Sequence, residues 1–256
     1  MAKTFQKRSF TFQESQTPIT ELKTKFGGQP VWLKPEAAQW PIYYYNEEKM
    51  LFMGQIVLEK AIFPDILGNV VAYLFFADEV EQLYPEATAI VIQTDAKTYT
   101  NVEVAHLPDL VGKSIYELAE DHQTTFPKEY EAVLSEIETE NYLPLEERYN
   151  WQKGDFDFQN YTGYQFSKPA LAGNKIGGQA IYVEGLDTPP KPFDSEDWHL
   201  LLQLAPKAGY WDLTWQKKGL YQPNFYPFFM QMYSTSIISI FISKDYTQTQ
   251  WFIQNT

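Results

Sequence analysis

The chain contains no cysteine. That absence removes disulfides, thiolate nucleophiles and every cysteine-built metal site, and it accords with a cytosolic setting. Long apolar runs are missing too. The longest, VVAYLFFA at 70–77, has eight residues, whereas a membrane helix needs about 20. The opening MAKTFQKRSFTF carries Lys3, Lys7 and Arg8 with no apolar stretch behind them, so it does not read as a signal peptide. Basic residues are outnumbered, 20 Lys and Arg against 33 Asp and Glu, for a net charge of −13. Such a field repels phosphate backbones and anionic lipid surfaces. The chain is therefore expected to be soluble and cytoplasmic, to bind neither nucleic acid nor membrane, and to suit a basic protein as partner.

Catalytic signatures are equally scarce. The three histidines, His106, His122 and His199, show no H-x-x-x-H spacing, so no metal ligand set is expected. There is no G-x-S-x-G nucleophile turn. VGKS at 111–114 ends like a P-loop, but the glycine required five positions before Gly112 is Leu107. Asp155 and Asp157 in GDFDF would share one face of a strand, yet turn residues explain them as well. No catalytic residue and no cofactor is assigned.

What is present is a repetition. KFGGQPVWL at 25–33 returns as KIGGQAIYV at 175–183. FMGQI at 52–56 returns as LLLQL at 200–204, matching Gln55 with Gln203. VVAYLFFAD at 70–78 returns as IISIFISKD at 237–245, matching Asp78 with Asp245. Three blocks in one order indicate two related, pseudo-symmetric halves, the second carrying about 19 extra residues near 210–228. The first repeat runs over about 18–112 and the second over about 160–256, within a single domain of 1–256.

The blocks read as strands. AIVIQT at 89–94 and SIISIFI at 236–242 are rich in β-branched residues, FFMQMY at 228–233 reads likewise, and the Gly pairs turn the chain into the strands QPVWL and QAIYV. Aromatic residues reach 17% of the chain, which suits packing within sheets. Between the repeats the texture changes. Tyr130, Val133, Leu134 and Ile137 fall at helical spacing, and Ser114 with Glu117 forms a capping box. Ten acidic residues against one Lys lie between 115 and 147. The segment 113–149 is thus predicted to be helical with an acidic outer face, and Glu129, Glu136 and Glu140 are its candidate partner-binding residues. EGLDTPPKPFDSED at 184–197 reads as an extended loop.

Two further sets of residues follow from the repeats. Gly27, Gly28, Gly177 and Gly178 are assigned as structural turns, although backbone amides in such turns can also cradle an anion. Gln55 and Gln203 each interrupt an apolar strand, where an amide must be paired to be tolerated. They either tie backbone at the seam between halves or line a pocket there with Lys25 and Lys175.

The order of pieces, PITELKTKFGGQP at 18–30, QWP at 39–41, MLFMGQI, an F-P-x-x-L-G stretch before AYLFF, then NKIGGQA and LLLQL, resembles the bacterial YwqG-like family of unknown function. The match covers residues 18–94 well and 173–204 fairly. Members of that family often carry a Trp-Gly-Asp-x-Gly turn before the last apolar strand, where this chain has MQMYSTSIIS. The resemblance implies a β-rich α+β fold with a duplicated unit and implies no activity. Taken together, the sequence predicts an α+β domain of two halves with a helical acidic segment between them. The expected function is a non-enzymatic interaction protein, in one form an immunity-type protein that masks a basic toxin. The rival is a small-ligand binder or unrecognised enzyme with its pocket between the halves.

Overall fold

A computed structural model describes residues 3–78, 85–105, 110–118, 121, 123–144, 148, 173–182, 197–204 and 237–254. His106, His122, Asp155, Asp157, the proline-rich stretch at 184–196, the expected insertion near 210–228, the strand expected at 228–233 and the altered family turn near 230–236 lie outside these residues.

The chain runs through β1 (Thr4–Glu14), β2 (Lys25–Gly27), β3 (Trp40–Tyr43), β4 (Glu48–Lys49), β5 (Leu51–Val57), β6 (Val70–Phe76), β7 (Thr88–Thr94), β8 (Thr98–Tyr99) and β9 (Val104–Ala105). It continues through β10 (Tyr116–Leu118), β11 (Thr125–Pro127), β12 (Glu129–Leu134), β13 (Glu138–Asn141), β14 (Lys175–Gly177), β15 (Trp198–Leu204), β16 (Ile237–Ser243) and β17 (Thr249–Gln254). Among the described residues twelve strands form one sheet, in the order β17-β16-β15-β14-β1-β12-β2-β5-β6-β7-β8, with β13 paired to β1 beside β12. The named strand pairs of this sheet are antiparallel. The sheet curls as a half-barrel, and β17 comes against the short turn Pro85–Ala87 that precedes β7.

The expected α+β fold is corrected to a nearly all-β one. Among the described residues there is no helix of seven or more residues, and the segment expected to be helical forms β10 to β13. Ser114, expected as a helix cap, makes a bridge to Phe52 instead, and Glu117 lies within β10. The physical reason lies in β12. Its residues alternate, with Tyr130 and Ala132 buried and Val133 exposed, a period of two that fits a strand set between β1 and β2. Glutamate and alanine favour helix only weakly, and a central place in a sheet overrides that preference.

The expected strands β5, β6, β7, β15 and β16 do form, and their nearly continuous burial shows that both faces are covered along most of their length. The inner face gathers Phe10, Phe26, Ile56, Ile92, Ile238, Ile240 and Trp251 from both halves into one cluster. Each such side chain contributes roughly 1.5–3 kcal/mol when fully buried. Within the first half, Trp40, Phe52, Tyr73 and Phe75 make a second cluster, separate from the first. Gly112 lies against the Trp40 ring, where a Cβ would come within 2.5 Å of it, so packing accounts for that glycine.

The repeats occupy equivalent places. Lys25 pairs with Gln55 across β2 and β5, and Lys175 with Gln203 across β14 and β15. A register shift falls between Phe52 and Gly54 in one half and between Leu200 and Leu202 in the other. Gln55 then faces Tyr73, and Gln203 faces Ser239. This equates Tyr73 with Ser239, one residue away from the match the sequence suggests. Asp78 therefore corresponds to Lys244 rather than to Asp245. The strands expected after the Gly pairs are also displaced: β2 and β14 end at Gly27 and Gly177, and Gln29–Leu33 lie outside strands.

Candidate functional site: two buried lysine nodes

Each half builds a node around its lysine. Lys25 is 1% exposed and Lys175 is fully buried. An ammonium so placed needs both a counter-charge and acceptors. Lys25 Nζ meets Glu129 Oε1 at 2.5 Å and donates to the Ile19 carbonyl at 3.0 Å. Lys175 Nζ donates to the Gln179 carbonyl and stands 3.7 Å from Glu140 Oε1. Glu140 is shared, since its Oε1 is also 3.9 Å from Lys7 Nζ.

The glycines make these contacts possible. All four have positive φ, from 66° to 76°, a region that only glycine enters cheaply. At Gly28 a Cβ would stand 2.4 Å from the Glu129 carboxyl carbon, and at Gly178 it would stand 2.3 Å from Glu140 Oε2. At Gly27 and Gly177 it would strike the carbonyls of Lys128 and Gln6. Backbone conformation and the approach of a carboxylate demand glycine together.

The glutamines close each node. Gln55 Oε1 accepts from the Val31 amide at 2.8 Å, and its Nε2 donates to the Lys23 carbonyl at 2.9 Å. Gln203 Oε1 accepts from the Ile181 amide at 3.0 Å, and its Nε2 donates to the Gly173 carbonyl at 2.9 Å. The partners are equivalent residues of the two repeats. Each glutamine thus ties the irregular chain on either side of the Gly pair within its own half, not across a seam.

The nodes differ in charge. Gly27 faces Glu129 across β12, whereas Gly177 faces Lys7 across β1. Where the first node has a carboxylate the second has an ammonium, and the second recruits Glu140 from β13. Burial lowers the Lys25 ammonium below its ordinary range, opposed by its bond to Glu129. Burial lowers Lys175 further, to about 7, with Glu140 opposing and Lys7 and Arg148 reinforcing the drop.

Of the residues chosen from sequence, the structure unites Lys25 with Gln55 and Glu129, and Lys175 with Gln203 and Glu140. It does not unite the two lysines: β1 and β12 lie between their strands, a separation of about 14 Å at the usual strand spacing. The expected acidic docking face is broken up. Glu129 and Glu140 are internal counter-ions, and Glu136 alone of the three is exposed.

Several residues escaped the sequence reading. Gln93 accepts from the Lys34 amide at 3.0 Å and donates to the Ala37 carbonyl at 2.9 Å. Gln254 donates to the Ile181 carbonyl at 3.2 Å. They are equivalent, because Val71 faces Gln93 and Ile237 faces Gln254. Ile92-Gln93 and Ile253-Gln254 form a fourth echo that the spacing of the other three could have located. The exposed tyrosines Tyr44 and Tyr45 were also missed, and their run YYY is the signal.

No group of three or more His, Asp or Glu among the described residues is placed to hold a metal ion. No helix among them is long and apolar enough to cross a membrane. In comparison with known proteins, no family model and no curated protein matches this chain.

Proposed function

We propose that the protein is a non-enzymatic interaction protein whose negative surface receives a basic protein partner, as an immunity-type inhibitor would. One observation carries this reading: the polar residues best suited to chemistry are spent on the fold. Lys25 and Lys175 are bonded to main-chain carbonyls and stand against carboxylates, and both glutamine amides bond main chain at each end. The net charge of −13 supplies long-range attraction for a cationic surface and speeds its encounter.

The test is capture of the tagged protein from its own cells at low salt, followed by reconstitution with the purified captured protein. A one-to-one complex with a basic protein, weakening steeply as salt rises, is the expected result. A protein that comes out alone, or binds its partner independently of salt, defeats the reading. The rival, a small-ligand site built on Lys25, Gln55, Lys175 and Gln203, requires activity or ligand binding that Gln55→Leu removes without loss of folding.

A further inference from the structure

Tyr44 and Tyr45, exposed beyond Phe126 and Tyr142, share one hairpin with exposed acids. Strands β3 and β4 form a hairpin in which Tyr43 pairs with Glu48, leaving a four-residue loop, Tyr44 to Glu47. The loop is closed by the Glu47 amide donating to the Tyr43 carbonyl at 2.9 Å and by the Glu48 amide donating to Asn46 Oδ1 at 3.1 Å. Tyr44 and Tyr45 stand 62% and 77% exposed at its tip. They are not splayed at random. Tyr43, Tyr44 and Tyr45 pack on one another, with ring centroids 5.1–6.0 Å apart.

Exposed carboxylates lie in the hairpin and beside it. Glu47 and Glu48 belong to the hairpin and are exposed, as is Glu86; burial first, then Tyr44 and Tyr45, and last the Glu86 charge raise the Tyr43 phenol. Glu103, also exposed, adjoins the hairpin through its carbonyl, which accepts from the Ile42 amide at 2.9 Å. Lys49 is the one basic residue of β3, its loop and β4, and its Nζ donates to the Val111 carbonyl at 3.0 Å. Residues 40–49 thus carry two carboxylates and one ammonium, a net of 1 − 2 = −1, and Glu86 and Glu103 add to it from the neighbouring chain.

We infer that this hairpin tip is the docking surface for an arginine-bearing basic segment of the partner protein. The inference rests on the acidic-surface reading above and gives it a location. A guanidinium stacks on a tyrosine face and bonds a carboxylate through its planar fork. Exposed tyrosines already packed together present aromatic area with little side-chain freedom left to lose, which is how tyrosine serves at recognition surfaces. The excess of carboxylates in and beside the hairpin selects a cationic partner and repels an acidic one.

The experiment titrates a dye-labelled ten-residue peptide of alternating Arg and Gly against the whole protein at low salt, reading anisotropy. Its Lys-Gly counterpart is the control. The expected result is tighter binding of the Arg peptide. Joint Tyr44→Ala and Tyr45→Ala should weaken it by about tenfold, the scale of one aromatic hot spot. Glu47→Gln with Glu48→Gln should flatten its salt dependence. Both hairpin variants alter exposed side chains, and an unchanged thermal midpoint checks that they fold. If the peptide binds the hairpin variants as tightly as the parent protein, this location is overturned while the acidic-surface reading survives. If it binds neither at low salt, both fall. If the parent sediments as a dimer that the tyrosine variant abolishes, the tip belongs to a second copy, which also overturns the inference.

Discussion

Glu129 and Lys25, 104 residues apart, meet at 2.5 Å with side chains 12% and 1% exposed. The contact fastens β12 to β2 at the point where the first Gly pair turns the chain away from the sheet. Removing only the carboxylate leaves a buried ammonium bonded to the Ile19 carbonyl. Glu129→Ala should therefore cost about 3–5 kcal/mol, as broken buried pairs do. Lys25→Met combined with Glu129→Gln should recover much of that, because no charge is left buried. Urea unfolding of the three variants measures both.

A methyl group should be intolerable at the turns. Gly28→Ala and Gly178→Ala each impose positive φ on a residue with a Cβ and push that Cβ into a carboxylate. Each change should destabilise by more than about 1 kcal/mol, the backbone cost alone. Replacing Gly28 by Ala in a Glu129→Gln background would relieve the charge but not the backbone. Thermal unfolding should find little rescue.

The two glutamines should behave as equals. Gln55→Leu strands the Val31 amide and the Lys23 carbonyl, and Gln203→Leu strands the Ile181 amide and the Gly173 carbonyl. Each buried group left without its bond costs about 1–3 kcal/mol. Similar losses in the two variants, read from denaturant midpoints, are the expected outcome. A large loss in one variant and none in the other would refute the matched roles.

Lys175 should make stability depend on pH on the alkaline side. Its ammonium drops from 10.5 to about 7 in the folded protein, so between those values the unfolded chain holds a proton that the folded chain has released. Stability from this group therefore rises with pH across that window, by at most about 1.4 kcal/mol per pH unit. Below about 7 both states are protonated and the gain is absent. Lys25 is lowered too and acts in the same direction. Subtracting the pH profile of Lys175→Met from that of the parent should isolate a rise between pH 7 and 10.

The repeat was legible because both copies need the same unusual set: a lysine, two glycines and a distant glutamine. Those types survive only where φ, close approach and amide bonding all demand them. The carboxylates were not legible as counter-ions, because the nodes draw them from different strands. Glu129 comes from the strand next to β2, and Glu140 from one that reaches past Lys7. The charge count from 115 to 147 therefore read as an outer face, although two of its three chosen acids point inward. The false helix had a related origin. Val133 and Ile137, which completed the helical period, are exposed at 43% and 37%. The true signal was the alternation of Tyr130 and Ala132 with Glu129 and Glu131.

The place of β1 at the centre of the sheet sets a timetable for synthesis. Its partners, β12, β13 and β14, all come from later in the chain, and Ser9 meets Ser135 across 126 residues. As the chain leaves the ribosome, β5 to β7 have their neighbours early, and β2 has one of its two. Strand β1, with the apolar rings of Phe10 and Phe12, must wait unpaired until β12 has followed it. Such long-range closure is slow and leaves an aggregation-prone strand uncovered. A nascent chain stalled before residue 129 should therefore present β1 to chaperones, and one stalled after residue 141 should have begun to cover it.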